Sequence, residues 1–127
     1  MSVKTEGKHA GEFLLSEAPG TLSRESCIVS SGQTVEDGQV VTDDGSGSEF
    51  VVATGSVNSE GVSDEAIAGI LIVPGGSPVT LTADTKFAYI ARLAEVKASS
   101  VKLHDDSSDA EDAAVIAALA AKNIVLR

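Results

Sequence analysis

Aromatic side chains are scarce: three Phe, one Tyr and no Trp among 127 residues. A core must therefore be built from Val, Ile, Leu and Ala, and the stacking platforms that hold single-stranded nucleic acid are missing. Cysteine is limited to Cys27, which excludes an intrachain disulfide. With no flanking base, Cys27 reads as a small buried or half-buried thiol rather than a nucleophile. Positive charge is also short, with 9 Lys and Arg against 19 Asp and Glu, a net charge of −10. Between Arg24 and Lys86 there is no basic residue, while ten acids stand there, from Glu25 to Asp84. Such a chain repels phosphate backbones, so no nucleic-acid partner is expected. Long hydrophobic runs are absent as well. The longest, Ala113 to Ala121, falls far short of the ~20 residues of a membrane span, and the polar start Met1-Ser2-Val3-Lys4-Thr5-Glu6 carries no signal-peptide core. A soluble compartment and no membrane partner are the expectation.

What is present is 43% apolar, too much for a disordered acidic chain, and the length suits one domain. Residues 1–12 hold one substantial apolar side chain beyond Met1, namely Val3, and read as an extended N-terminal arm; residues 13–127 read as a single β-rich domain. Short β-like segments follow at Ser26–Val29, Thr34–Val35, Gln39–Thr42, Glu49–Thr54, Ala66–Val73 and Val79–Thr82. Asp37-Gly38 between β-branched residues predicts a hairpin turn. Ala66–Val73, apolar on both faces, predicts a central strand. Lys86 to Lys97 fits helix or strand spacing; the crowding of aromatic and β-branched residues at its start favours a strand over 86–93. Ser108-Asp109-Ala110-Glu111 is a capping box opening the one clear helix, with Asp109, Glu111 and Asp112 complementing its dipole. Ala113–Ala121 is apolar nearly all round, which predicts burial on more than one side and hence a neighbouring subunit. Ile124-Val125-Leu126 predicts a last short strand.

Catalytic chemistry finds no support. His9 and His104 stand near no nucleophile motif, and Gly45-Ser46-Gly47 and Pro74-Gly75-Gly76 neither lead into a helix nor carry a Lys, so they read as turns rather than phosphate cradles. His104-Asp105-Asp106 with Asp109, Glu111 and Asp112 could ligate a metal, but the last three are what a helix start recruits. Asp43 to Glu49 has the acids and glycines of a calcium loop without its ligand spacing. No enzyme, metal or cofactor is expected.

Lys4-Thr5-Glu6-Gly7-Lys8-His9-Ala10-Gly11-Glu12-Phe13-Leu14-Leu15-Ser16-Glu17-Ala18, followed by Gly20-Thr21-Leu22-Ser23-Arg24, resembles the opening of one branch of the head decoration protein family of tailed phages, the lambda-type capsid decoration proteins. The remainder follows that branch in outline: Gly32 and Gly38 punctuating a β region, the Ala66 to Leu71 strand, and an Ala/Leu-rich helix before Ile124-Val125-Leu126-Arg127. Asn123 stands where that branch would have Gly; Asn tolerates the same left-handed backbone. The resemblance implies a mainly β, β-clip (tulip-like) body with one C-terminal helix, assembling as homotrimers on the outer surface of an expanded capsid and stabilising it against DNA pressure. It implies the phage major capsid protein as partner, host cytoplasm during assembly and virion thereafter. The implied capsid-binding residues are Val3, Lys4, Thr5, Glu6, Gly7, Phe13 and Leu14, with the arm adding a strand to a capsid sheet edge. The trimer interface would draw on Val115, Ile116 and Leu119. A small β-barrel module binding a sugar or calcium is the competing reading.

Overall fold

The computed structural model describes residues 9–45, 49–56, 59, 65–75, 78–104 and 109–127, with backbone alone for 109–111. Its strands are β1 (Leu14–Glu17), β2 (Arg24–Val29), β3 (Thr34–Val35), β4 (Val40–Asp43) and β5 (Glu49–Val52), then β6 (Ala66–Ile72), β7 (Val79–Thr80), β8 (Thr85–Ile90), β9 (Ala94–Val96) and β10 (Ile124–Leu126). A single α-helix among the described residues, α1 (Asp109–Ala120), precedes β10, and a short 3-10 turn covers Ala98–Ser100. No helix among the described residues is long and apolar enough to cross a membrane.

Five strands close into a small barrel in the order β2-β5-β4-β6-β8. Alternation along each strand decides what fills it. Cys27 lies opposite Phe87, Val29 opposite Phe50, Val41 opposite Val52 and Leu71 opposite Tyr89, and these side chains pack into one apolar cluster. Phe50 and Tyr89 meet edge to face, ring centres 5.2 Å apart. The ribbon of β3 and β7 adds Val35 and nearby Leu81 to this core.

The second core lies outside the barrel wall. Val40, Ile70 and Ile90 point the other way from their barrel-filling neighbours and meet Phe13, Val96, Val115, Leu119 and Ile124. A three-stranded sheet, β1-β9-β10, and α1 supply that covering layer. The hydrophobic character of β6 on both faces thus has its reason: Leu71 faces the barrel interior, and Ile67 and Ile70 face the second core. Gly69 marks the tightest point, since a Cβ there would stand 2.1 Å from the Ile90 carbonyl oxygen. β9 and β10 run parallel, joined through α1 as parallel neighbours require. At the end of α1 the amides of Lys122 and Asn123 bond to the carbonyls of Leu119 and Ala120, and Asn123 takes φ 61°, the left-handed turn expected of it.

The mainly β class, the strand over Thr85–Ile90 and the late helix agree with the sequence reading. Asp37-Gly38 does not. β3 pairs with β7, and β4 pairs with β5 and β6, so no β3–β4 hairpin forms. Burial explains the difference. Asp37 is 1% exposed, its carboxylate takes backbone amides from two distant segments, and Gly38, at φ 84°, lies where a Cβ would sit 2.4 Å from the Ser100 carbonyl oxygen. The dipeptide makes a corner packed under other backbone, and a corner cannot also close a solvent-facing hairpin. The helix is also more one-sided than its composition indicated: Ala114, Val115 and Leu119 are buried within the chain, while Ala113, Ile116, Ala117 and Ala120 remain exposed. The capping box lies outside the described residues at Ser108 and in the side chains of Asp109 and Glu111.

Candidate interaction surfaces

Residues 9–14, where the sequence predicts an N-terminal arm to meet the body, are tied to it at several points. Glu12 donates its amide to the His9 carbonyl and Leu14 donates to Gly11, closing a compact turn over 9–14. The Gly11 amide donates to Asp37 Oδ2 at 2.9 Å, and the Val73 amide, at the end of β6, donates to Asp37 Oδ1 at 2.9 Å. Phe13 is 1% exposed in the second core, and its carbonyl accepts the Lys97 amide at 2.7 Å. Leu14 pairs with Val96 and packs against that core. Phe13 therefore serves as an anchor of the arm's root, hidden from any external partner. Residues 9–12, counted with the arm from composition, form a turn that is hydrogen-bonded to the body through Gly11. Val3, Lys4, Thr5, Glu6 and Gly7 lie outside the described residues.

Several large apolar side chains remain on the surface. Leu15 is 53% and Val125 41% exposed on the β1-β9-β10 sheet, beside the ion pair of Glu95 with Arg127 at 3.0 Å. That guanidinium holds the Glu95 carboxyl below its usual range. Leu22 and Leu93 stand out at the barrel end nearest the end of α1, 56% and 40% exposed. Ser23, buried between them, donates its hydroxyl to the Leu93 carbonyl at 2.8 Å, and Arg92 donates to the Leu22 carbonyl at 2.8 Å while pairing with Glu25. Leu93 is held at φ 53°, a left-handed conformation that costs a side-chain-bearing residue about 1–2 kcal/mol. Its amide bonds to the Lys122 carbonyl, which ties this corner to the end of α1. Of the three helix residues singled out by the sequence, Val115 and Leu119 are wholly buried in the chain's own core, and Ile116 alone, 39% exposed, faces outward. None of these surface contacts leaves a signal in spacing or composition; Arg92, Glu25 and Leu93 read as ordinary strand-end residues.

Cys27 and His104 are both buried. Burial of Cys27 in the barrel pushes its thiol up to about 11, away from the thiolate a nucleophile needs. His104 is buried with Nε2 at 2.5 Å from Asp112 Oδ1, so Asp112 joins the helix start to the preceding segment as well as facing the dipole. Asp105, Asp106 and the side chains of Asp109 and Glu111 lie outside the described residues. No group of three or more His, Cys, Asp or Glu side chains capable of holding a metal ion occurs among the described residues. At the opposite barrel end a hydrogen bond with Asp84 holds the Glu49 carboxyl above its usual range, while the Ser31 amide holds Asp84 below its own. In the acidic loop Asp43 Oδ1 accepts the Gly45 amide at 2.8 Å, an Asx turn; residues 46–48 lie outside the described residues. The barrel interior, where a β-barrel module would hold a small ligand, is occupied by the chain's own side chains.

The family model described as bacteriophage lambda head decoration protein D matches residues 3–124, nearly the whole chain. A search of curated proteins found no significant match.

Proposed function

The chain belongs to the bacteriophage lambda head decoration protein D family, and on that premise we propose that it attaches as a homotrimer to the outer surface of an expanded phage head and cements the shell against the pressure of packaged DNA. The near-complete match over residues 3–124 carries this reading. Three features of the molecule support it. Exposed Leu22, Leu93 and Ile116 give a body of this size apolar surface to bury in a second and third copy. The arm's root is secured by Phe13 and Asp37, so a pull on the arm is borne by the core. The net charge of −10 keeps free protein soluble until capsids are available.

The attachment follows from multivalency. Each trimer presents three arms to neighbouring capsid subunits, and once one arm is seated the others bind at high effective concentration. An arm that adds a strand to a sheet edge satisfies its own backbone amides and carbonyls, which offsets the ~1–2 kcal/mol per residue of backbone entropy that docking removes. Val3, Lys4, Thr5, Glu6 and Gly7 would make the contact, Lys4, Thr5 and Glu6 setting its register, with Leu14 at the junction.

Expanded capsids stripped of decoration protein provide the test. The purified protein should co-sediment with them in multiples of three copies per site and should raise their resistance to heat and to osmotic shock. A protein that fails to bind expanded capsids, or that binds without strengthening them, overturns the reading.

A further inference from the structure

We propose that Asp37 is a positioning residue for attachment: its buried carboxylate clamps the root of the N-terminal arm to the end of β6 and so sets the point from which the arm departs. This inference rests on the reading that the arm carries attachment. The motivating observation is where the two oxygens are spent. Oδ2 takes the amide of Gly11, 26 residues away, and Oδ1 takes the amide of Val73, 36 residues away, each at 2.9 Å. A turn at 36–38 could be made by a solvent-facing Asp at no desolvation cost; here the side chain is 1% exposed. A buried carboxylate is tolerated when hydrogen bonds replace its water, and bonds from an ionised acceptor to backbone amides are among the stronger ones.

The clamp acts on the segment that matters. Gly11 lies two residues before Phe13, which is sunk in the second core, and the Lys97 amide bonds to the Phe13 carbonyl. Without the Asp37 tie the turn over residues 9–14 hangs from Phe13 and Leu14, and it sweeps a larger volume around the docking edge. Effective concentration falls as that volume grows, and the loss repeats for each arm of a trimer. Val73, on the other side of the carboxylate, links the same point to a barrel strand, so the departure point is referenced to the barrel as well as to the outer layer.

Asp37→Asn tests this, because an amide can accept one of the two N–H groups but turns a donor toward the other. The experiment is a two-by-two comparison of decoration of expanded capsids: the natural protein, Asp37→Asn, a deletion of residues 2–8, and the two combined. Expected are a roughly tenfold weaker binding for Asp37→Asn in the full-length chain and no further weakening in the deleted chain. Equal weakening in both backgrounds would make Asp37 a purely structural residue and overturn the inference, as would full-strength binding by Asp37→Asn. A deletion that decorates as well as the natural protein would sink the attachment reading and the inference with it. Should Asp37→Asn fail to fold, amide exchange in the natural free protein decides: the Gly11 amide should be protected as strongly as that of Leu14, and exchange at the rate of an open chain refutes the clamp.

Discussion

Cys27 and Gly69 show how much of this small barrel depends on single side chains, or on the lack of one. The Cys27 thiol, 7% exposed, titrates near 11 in the folded protein against an ordinary value near 9. Since the folded state holds its proton more tightly, the contribution is complete below pH ~9 and is lost as pH rises toward 11. The denaturation midpoint should therefore fall across that window, and the fall should be shallower in Cys27→Ala; identical profiles would show that the thiol is not desolvated. Gly69 has no room for a methyl, with the Ile90 carbonyl oxygen 2.1 Å and Tyr89 Cδ2 2.9 Å from where it would stand. Gly69→Ala should cost about 1–3 kcal/mol in urea unfolding, toward the upper end because strand backbone and not a mobile side-chain tip must yield. Neither residue's environment is legible in order along the chain. A glycine inside an apolar run signals a bulge or a close approach without saying to what, and Ile90 lies 21 positions away.

Helix α1 divides its apolar residues between two fates, and the division is testable. Leu119 is fully buried with Val115, Ile124 and Phe13 in the second core, so Leu119→Ala should lower monomer stability by about 2–5 kcal/mol through the cavity it leaves. Ile116 is 39% exposed. On the proposed trimer, Ile116→Glu should leave circular dichroism and the melting of the isolated chain nearly unchanged while shifting sedimentation toward the monomer. If Ile116→Glu sediments as the natural protein does, the outward face of α1 is not part of the assembly. The helix itself was readable from its alanine content and the acids at its start. Which face it buries was not, because Ala113 to Ala121 is nearly uniform in hydropathy, and only the position of the β1-β9-β10 sheet and the barrel wall selects Val115 and Leu119 as the inward pair.

For the molecule as a whole, the relation of arm to body is the feature with most consequence. On the proposed attachment role of residues 2–8, their deletion should leave melting within a degree or two of the natural protein. Deleting residues 2–12 also removes Gly11 and leaves one oxygen of the buried Asp37 carboxylate without that amide. Its melting should drop by several degrees, as expected for the loss of a hydrogen bond to a charged group, worth about 1.5–3 kcal/mol. Equal melting for the two deletions, by calorimetry, would show that the body ends at Phe13 and that Gly11 contributes nothing.

Composition and local pattern by themselves determined that this chain is a mainly β protein with one late helix, an aliphatic core, a thiol out of play and a polar lead segment. Each of these depends on residue type or on contacts within a few positions, such as Asn123 accepting a left-handed turn at the end of α1. The family, too, was legible in the opening residues. Only the tertiary structure decided which strands are neighbours, that β6 serves two cores at once, and that Asp37-Gly38 is a buried corner instead of a hairpin. It also decided which candidate contact residues are spent inside the chain, as Phe13, Val115 and Leu119 are, and which remain for a partner. The physical reason is common to all of these. Hydrophobicity and hydrogen-bonding capacity say that a side chain must be covered or an amide paired, but for Gly11, Val73 and Ser23 the partner comes from 26 to 70 positions away, and the tertiary fold is what brings them together.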